Sequence, residues 1–293
     1  MSQTDAELFA AHRKRLFSIA YRMLGVRADA EDVVQDAWLR WQSSDRSGVL
    51  SAEAWLVTVT TRLSIDRLRA AKAEREAYVG FWLPEPIVEI DERTPELQAE
   101  MASDLSMAFM WVLERLSPEE RAAFLMRQVF DYDYAEVAEL LGKSEAACRQ
   151  MVSRANDRVQ QEKVRFEVKR ADHRDLLQRF VAAANSGQQD AIRAFIADDM
   201  QFVGDGGGKM PSYPYIVRDP DMIAELYAKF SKSGKTRYEM VLLNGQPGLL
   251  RYIGSKLESV QCLETDGKRI TGFYVIRNPD KLATILASRG AGQ

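Results

Sequence analysis

The feature that most constrains this chain is a change of hydrophobic period near residue 170. Before it, apolar residues recur at three- and four-residue spacing; after it, short alternating runs bounded by turn signals take over. One continuous core does not serve both patterns, and 293 residues is about two domains' worth of chain. The expectation is a multidomain protein, all-α first and α+β second. Helical faces read Leu8, His12, Leu16, Ile19, Ala20 and Met23, then Val33, Val34, Ala37, Trp38 and Trp41, then Trp55, Leu56, Val59, Leu63 and Leu68. Asp29 followed by Asp32 resembles a capped helix start. Further helices are predicted over 104–115, 117–130, 133–141 and 144–164, with Gly142 as a stop between the last two. Later helices at 172–185, 188–196, 221–232 and 280–287 accompany strands at 201–204, 238–243, 249–253, 257–264 and 269–277. Asn244-Gly245 and Asp266-Gly267 are hairpin signals.

Charge sharpens this division. The total of −3 hides a basic stretch at 62–75 (net +3), an acidic one at 81–104 (net −6) and a second basic one at 143–170 (net +4). Two basic helical segments flank an acidic connector, in which Trp82-Leu83-Pro84-Glu85-Pro86 is held extended by its prolines. No apolar run approaches the ~20 residues of a membrane span, and the polar start is no signal peptide. Cys148 and Cys262 build no disulfide framework, and with His12 and His173 they make an improbable zinc site, so no metal and no cofactor are expected. A cytoplasmic protein without membrane association follows.

The sharpest local pattern is 134–158: a short helix, a turn through Gly142, Ser144 as N-cap, and a second amphipathic helix. That is the layout of a helix-turn-helix. With Cys148, Val152 and Ala155 turned inward, Arg149, Gln150, Ser153 and Arg154 face outward, with Arg158 beyond them. Arg149 and Gln150 suit base edges in a major groove, and Arg154 and Arg158 suit phosphates. A helical hairpin with a merely solvated basic face has the same pattern, so the hairpin alone leaves both readings open.

Residues 28–41 (ADAEDVVQDAWLRW) and 54–69 (AWLVTVTTRLSIDRLR), ahead of that hairpin, resemble regions 2 and 4 of the bacterial extracytoplasmic-function sigma factors in order and spacing. The resemblance implies that Asp29, Asp32, Gln35 and Asp36 dock on the clamp helices of the β′ subunit of core RNA polymerase. It also implies that Ser44, Arg46, Thr58, Thr61, Arg62 and Arg69 handle the −10 promoter element, and that Arg149, Gln150, Ser153, Arg154 and Arg158 read the −35 element. Where many members place arginine on the exposed side of the −10 helix, this chain has Thr58 and Thr61, with Arg62 beside them. Read in isolation, the acids of 29–36 are an ordinary solvated face.

The tail resembles a SnoaL-like cone domain. Three motifs, Trp82-Leu83-Pro84-Glu85-Pro86, Asp205-Gly206-Gly207-Gly208-Lys209 and Asn278-Pro279-Asp280-Lys281-Leu282, resemble the sigma-factor subfamily that carries such a domain fused at its end, the mycobacterial SigJ type. The implied organisation is region 2 at 1–80, an acidic linker at 81–103, region 4 at 104–168 and the SnoaL-like regulatory domain at 169–293. The glycine run lacks the phosphate-loop spacing and reads instead as a place where another segment approaches closely. Trp82 is expected to dock there with Glu85 beside Lys209, while Asp280 suits a first helical turn. Phe180, Phe195, Phe202, Tyr215, Phe230, Tyr238 and Phe273 either line a cavity, for a small ligand of unidentified kind, or fill a core. Glu239, Glu258 and Glu264 have no evident partner in sequence, so catalysis finds no support. The reading is a promoter-specificity subunit of RNA polymerase, not an enzyme, regulated in cis by its tail. The alternatives are a one-component DNA-binding regulator with a ligand-sensing tail and a SnoaL-like isomerase or cyclase with a DNA-targeting appendage.

Overall fold

The structure, a computed structural model, describes residues 5–89, 105–161 and 168–290. Residues 90–104 of the acidic stretch 81–104 and the end of the helix predicted to reach 164 lie outside the described residues. The chain forms two compact units, Met1–Glu76 with Phe109–Val164, and Ala77–Ala108 with Arg165–Gln293.

The first unit is helical: α1 (Asp5–Leu24), α2 (Arg27–Ser43), α3 (Ala52–Ala70), a short α4 (Lys72–Glu76), α5 (Met107–Leu113), α6 (Pro118–Gln128), α7 (Tyr134–Leu141) and α8 (Glu145–Gln161). α1 packs against α2 and α3, and Leu16, Ile19, Ala20 and Met23, Val33, Val34 and Ala37, and Leu56 and Leu68 are all buried. Gly25, with φ at +69°, ends α1 so tightly that α2 starts at Arg27, before Asp29 and Asp32. Neither acid caps the helix; its N-cap is Val26, without a side-chain bond. Helices α6 and α7 do open with reciprocal capping boxes, Ser117 with Glu120 and Asp133 with Glu136. Arginines secure the carbonyl end of α1, where the helix leaves acceptors over. Arg121, 2% exposed, donates to Met23 O at 2.6 Å and to Glu114 at 2.7 Å, while Arg75 donates to Leu24 O at 2.9 Å.

The second unit is built on one mixed, mainly antiparallel sheet with helices packed against it. Helices α9 (Arg170–Ser186) and α10 (Gln189–Arg193) lead into β2 (Ile196–Asp205), and α11 (Pro220–Lys232) precedes the meander β3 (Thr236–Leu243), β4 (Gln246–Ile253), β5 (Lys256–Thr265) and β6 (Ile270–Ile276). Helix α12 (Pro279–Gly290) follows. β2 runs parallel to β6, and the connector adds a two-residue strand β1 (Val88–Glu89) antiparallel to β3, giving the order β1-β3-β4-β5-β6-β2. Phe180 meets Tyr227 and Phe273 edge-on at the centre, so Phe180 and Phe273 fill a core instead of lining a cavity. Tyr215 stands 55% exposed and lines nothing.

His173, in the first turn of α9, is buried, and burial lowers its pKa to about 4 from 6.5. The unfolded chain therefore binds a proton between these values that the folded chain refuses. Stability contributed by the neutral ring is present above pH 6.5 and is lost as pH falls toward 4. The shift corresponds to roughly 3 kcal/mol. His173→Asn is expected to flatten the urea-stability profile over this window relative to the parent. Parallel profiles would show that the imidazole does not titrate this way.

Candidate nucleic-acid interface and connector clamp

The hairpin predicted at 134–158 is present. Gly142 takes the left-handed conformation, at φ +63° and ψ +39°, and closes α7. Cys148, Met151, Val152 and Ala155 face inward, which leaves Arg149, Gln150, Ser153, Arg154 and Arg158 exposed on one side. Arg149 is steadied by Glu145 at 2.7 Å and by the Tyr134 ring, whose centroid lies 4.9 Å away. Arg158 pairs with Glu120 at 3.0 Å, and Arg154 approaches the same carboxylate at 3.8 Å.

On α2, Asp32, Gln35 and Asp36 are exposed and Asp29 is half-buried. Arg67 of α3 reaches Asp29 at 2.8 Å and Asp32 at 3.3 Å, a partner that the sequence reading did not assign. The candidate −10 residues divide. Ser44 and Arg46 sit in the loop after α2, with Ser44 Oγ on Trp41 O and Arg46 paired to Asp5 and stacked on Trp41. Thr58 is half-buried. Thr61, expected on the exposed side, is 0% exposed and donates to Val57 O at 2.8 Å. It belongs with Thr60 and Ser64 to a polar stripe on the inner face of α3, where the Thr61 and Ser64 hydroxyls bond the preceding turn. Arg62 donates to Leu140 O at 2.9 Å and Glu139 O at 3.3 Å, and Arg69 pairs with Glu119. In this unit α3 thus lies against the helix-turn-helix.

The connector motifs converge on one carboxylate. Asp205, 0% exposed at the end of β2, accepts from Tyr78 Oη at 2.5 Å, Leu83 N at 3.0 Å and Lys281 Nζ at 2.7 Å. Lys281 also donates to Leu83 O and lies 3.9 Å from the Trp82 ring centroid. Asn278 donates to the Tyr78 hydroxyl at 2.7 Å and accepts from Asp280 N at 3.0 Å. Burial, with the neighbouring Asp205 carboxylate, pushes the Tyr78 hydroxyl pKa far up, so Tyr78 stays a donor. The glycine run does admit close neighbours: a Cβ on Gly207 would stand 2.4 Å from Asn278 Nδ2, and one on Gly208 3.1 Å from Val79. Gly206, by contrast, is tight against its own loop at Met210 O. Trp82 docks on Lys281, not on the glycines. Lys209 pairs with Asp280 at 2.6 Å instead of Glu85, because helix α12 starts Asp280 beside the loop. Glu85, Pro84 and Pro86 are buried in the same segment, and Pro279 opens α12.

The other end of the connector is fastened by Asn244, which sequence marked only as a turn. Its Oδ1 accepts from Ile87 N at 2.8 Å and its Nδ2 donates to Leu105 O at 3.1 Å. Glu264, thought partnerless, accepts from Ala108 N at 3.3 Å; Glu239 meets Arg237 at 3.4 Å; Glu258 lies between Arg251 and Arg277. Among the described residues no group of three or more His, Cys, Asp and Glu is placed to hold a metal, and no helix is long and apolar enough to cross a membrane.

Comparison with known proteins agrees in kind. The family model Sigma-70 region 2 matches residues 8–74, and the model Sigma-70, region 4 matches residues 106–157. The chain is 38% identical over 288 residues to the ECF RNA polymerase sigma factor SigJ of Mycobacterium tuberculosis, covering 93% of this chain and 91% of that one. It is 26% identical over its whole length to the probable ECF RNA polymerase sigma factor SigI of the same organism. The crystal structure of Mycobacterium tuberculosis SigJ superposes with a TM-score of 0.76 at 35% identity, covering 95% of this chain and 98% of that one.

Proposed function

Since the chain belongs to the extracytoplasmic-function sigma factors of RNA polymerase, we propose how that work is divided along it. Residues 1–80 bind core polymerase through Asp29, Asp32, Gln35 and Asp36 and engage the −10 element through Ser44, Arg46, Thr58, Arg62 and Arg69. Residues 104–168 read the −35 element through Arg149, Gln150, Ser153, Arg154 and Arg158. Residues 169–293, with linker 81–103, regulate that engagement in cis. The protein works beside polymerase in the cytoplasm and performs no covalent chemistry itself.

One observation carries the regulatory reading: Arg62, a candidate −10 residue, is hydrogen-bonded to carbonyls of the helix-turn-helix. The two promoter elements lie roughly 25 base pairs apart by their names, tens of ångströms on a duplex rising ~3.4 Å per step. Helices bonded to each other in this way do not span both elements at once, so this arrangement is the resting one. Opening it requires the connector to change span, and the connector is the segment that the sheet unit holds at Asp205 and Asn244. The decisive experiment is transcription from a promoter library by core polymerase loaded with the chain. A one-component regulator would give no promoter-specific initiation there.

Base and phosphate roles separate by mutation. Arg149→Ala is expected to cost ~1–3 kcal/mol of discrimination at one −35 position. Arg158→Ala should weaken binding evenly across sequences and lower its salt dependence. Equal, sequence-blind losses in a promoter-variant assay would remove Arg149 from the readout.

A further inference from the structure

The sheet unit contains a cavity of about 280 Å³ that none of the roles above uses. Phe202, Tyr213, Tyr227 and Phe230 supply aromatic walls, and Arg251 and Arg277 supply charge. Tyr227 is anchored by its hydroxyl on Gln261 at 2.8 Å, so the wall is fixed. The charges do not balance. Glu258 takes Arg251 Nε at 2.8 Å on one oxygen and Arg277 Nε at 2.6 Å on the other, so one carboxylate serves two guanidiniums. Burial alone would raise the Glu258 pKa, yet the two arginines outweigh it and hold the carboxyl below its usual range, so the group is charged. Arginine does not lose its proton, and the trio keeps one positive charge beside an apolar space.

The two arginines differ in exposure and in what they meet besides Glu258. Arg251 is 3% exposed, lies 3.8 Å from the Phe230 ring centroid, and spends Nε and Nη2 on Glu258. Arg277 also sets Nε and Nη2 on Glu258, but it is 20% exposed and directs Nη1 to a neutral acceptor, Pro211 O, in the cavity lining. A carboxylate is a stronger acceptor than a peptide carbonyl for a guanidinium, and here it would also neutralise the excess charge.

We propose that this cavity binds a small aromatic monoanion, its ring between the aromatic walls and its acid group on Arg277. The volume is roughly twice the ~150 Å³ that accommodates benzene, which fits a fused bicyclic acid. Pro211 follows the loop that starts at Asp205, and Arg277 N donates to Asp205 O at 2.7 Å, so the site shares its backbone with the connector clamp.

Calorimetric titration of the full chain with 2-naphthoate and with the neutral 2-naphthamide tests the site without polymerase or promoter, so its outcome is separate from the transcription reading. The acid is expected to bind at least tenfold more tightly than the amide. Arg277→Gln should remove that preference while leaving the circular dichroism spectrum unchanged. Leu226→Trp, which fills the cavity from its lining, should weaken both ligands. Equal affinity for acid and amide, no binding of either at millimolar concentration, or a preference that survives Arg277→Gln would overturn the proposal.

Discussion

Replacing Lys281 by Met is expected to destabilise the sheet unit by about 3–5 kcal/mol, the cost of leaving one partner of a buried ion pair alone. The pair is as enclosed as any among the described residues, with Lys281 side chain 6% exposed and Asp205 0%. Methionine keeps the unbranched stem that packs near Trp82 and removes only the ammonium. Asp205 then retains the Tyr78 hydroxyl and Leu83 N but faces no cation, and Leu83 O loses its donor. The released part should be the connector, because its hold at this end depends on those bonds. Hydrogen exchange at the Leu83 amide is expected to accelerate in step with the loss of stability. Combining Lys281→Met with Asp205→Asn should cost less than the sum of the single changes, since the second removes the charge that the first stranded. A loss under ~1 kcal/mol, or an unchanged Leu83 amide, would mean the connector is held by apolar packing alone.

This clamp shows where sequence reasoning reached and where it stopped. Period and turn chemistry were enough for the helical and sheet units, because burying an amphipathic stripe or an alternating strand admits few solutions. They also oriented α8, whose inward Cys148, Val152 and Ala155 leave Arg149 and Gln150 no other side. Three glycine- or proline-bearing motifs were seen to belong together, since each restricts backbone in a way that only a close neighbour explains. The identity of the bonds was not legible. Lys281 reads as one more surface lysine of a short helix, and Tyr78 as the end of a helical run; only the fold brings them to Asp205 across more than 75 residues. Thr61 was misplaced for a related reason. The family pattern, with arginine on the exposed side of this helix, suggests solvent, but a helix can bury a hydroxyl that bonds the carbonyl one turn back. Arg251 and Glu258 pair across adjacent strands, a neighbourhood that depends on register rather than on spacing.

Reversing charge at Asp32 and Asp36 together is expected to abolish association with core polymerase. Both side chains are exposed, and together with Gln35 they form the outward face of α2 whose inner face, Val33, Val34 and Ala37, is buried. An acidic surface presented so regularly to solvent is suited to a basic partner face. Placing lysine opposite such a face turns attraction into like-charge contact, which costs several kcal/mol and thus at least ~100-fold in affinity. The fold should tolerate the change, because Arg67 keeps its shorter bond to Asp29 at 2.8 Å when the 3.3 Å bond to Asp32 is lost. Arg67 also supplies the control. It occupies Asp29 and Asp32 in the free chain, so Arg67→Ala should leave polymerase binding intact or tighten it while the double reversal removes it. Co-purification with core polymerase at two salt concentrations, with helix content checked by circular dichroism, reads all of these variants. Undiminished binding by the folded double reversal would reduce these acids to solvated surface, and a loss on Arg67→Ala equal to that of the reversal would make the ion pair, not the acidic face, the element polymerase needs.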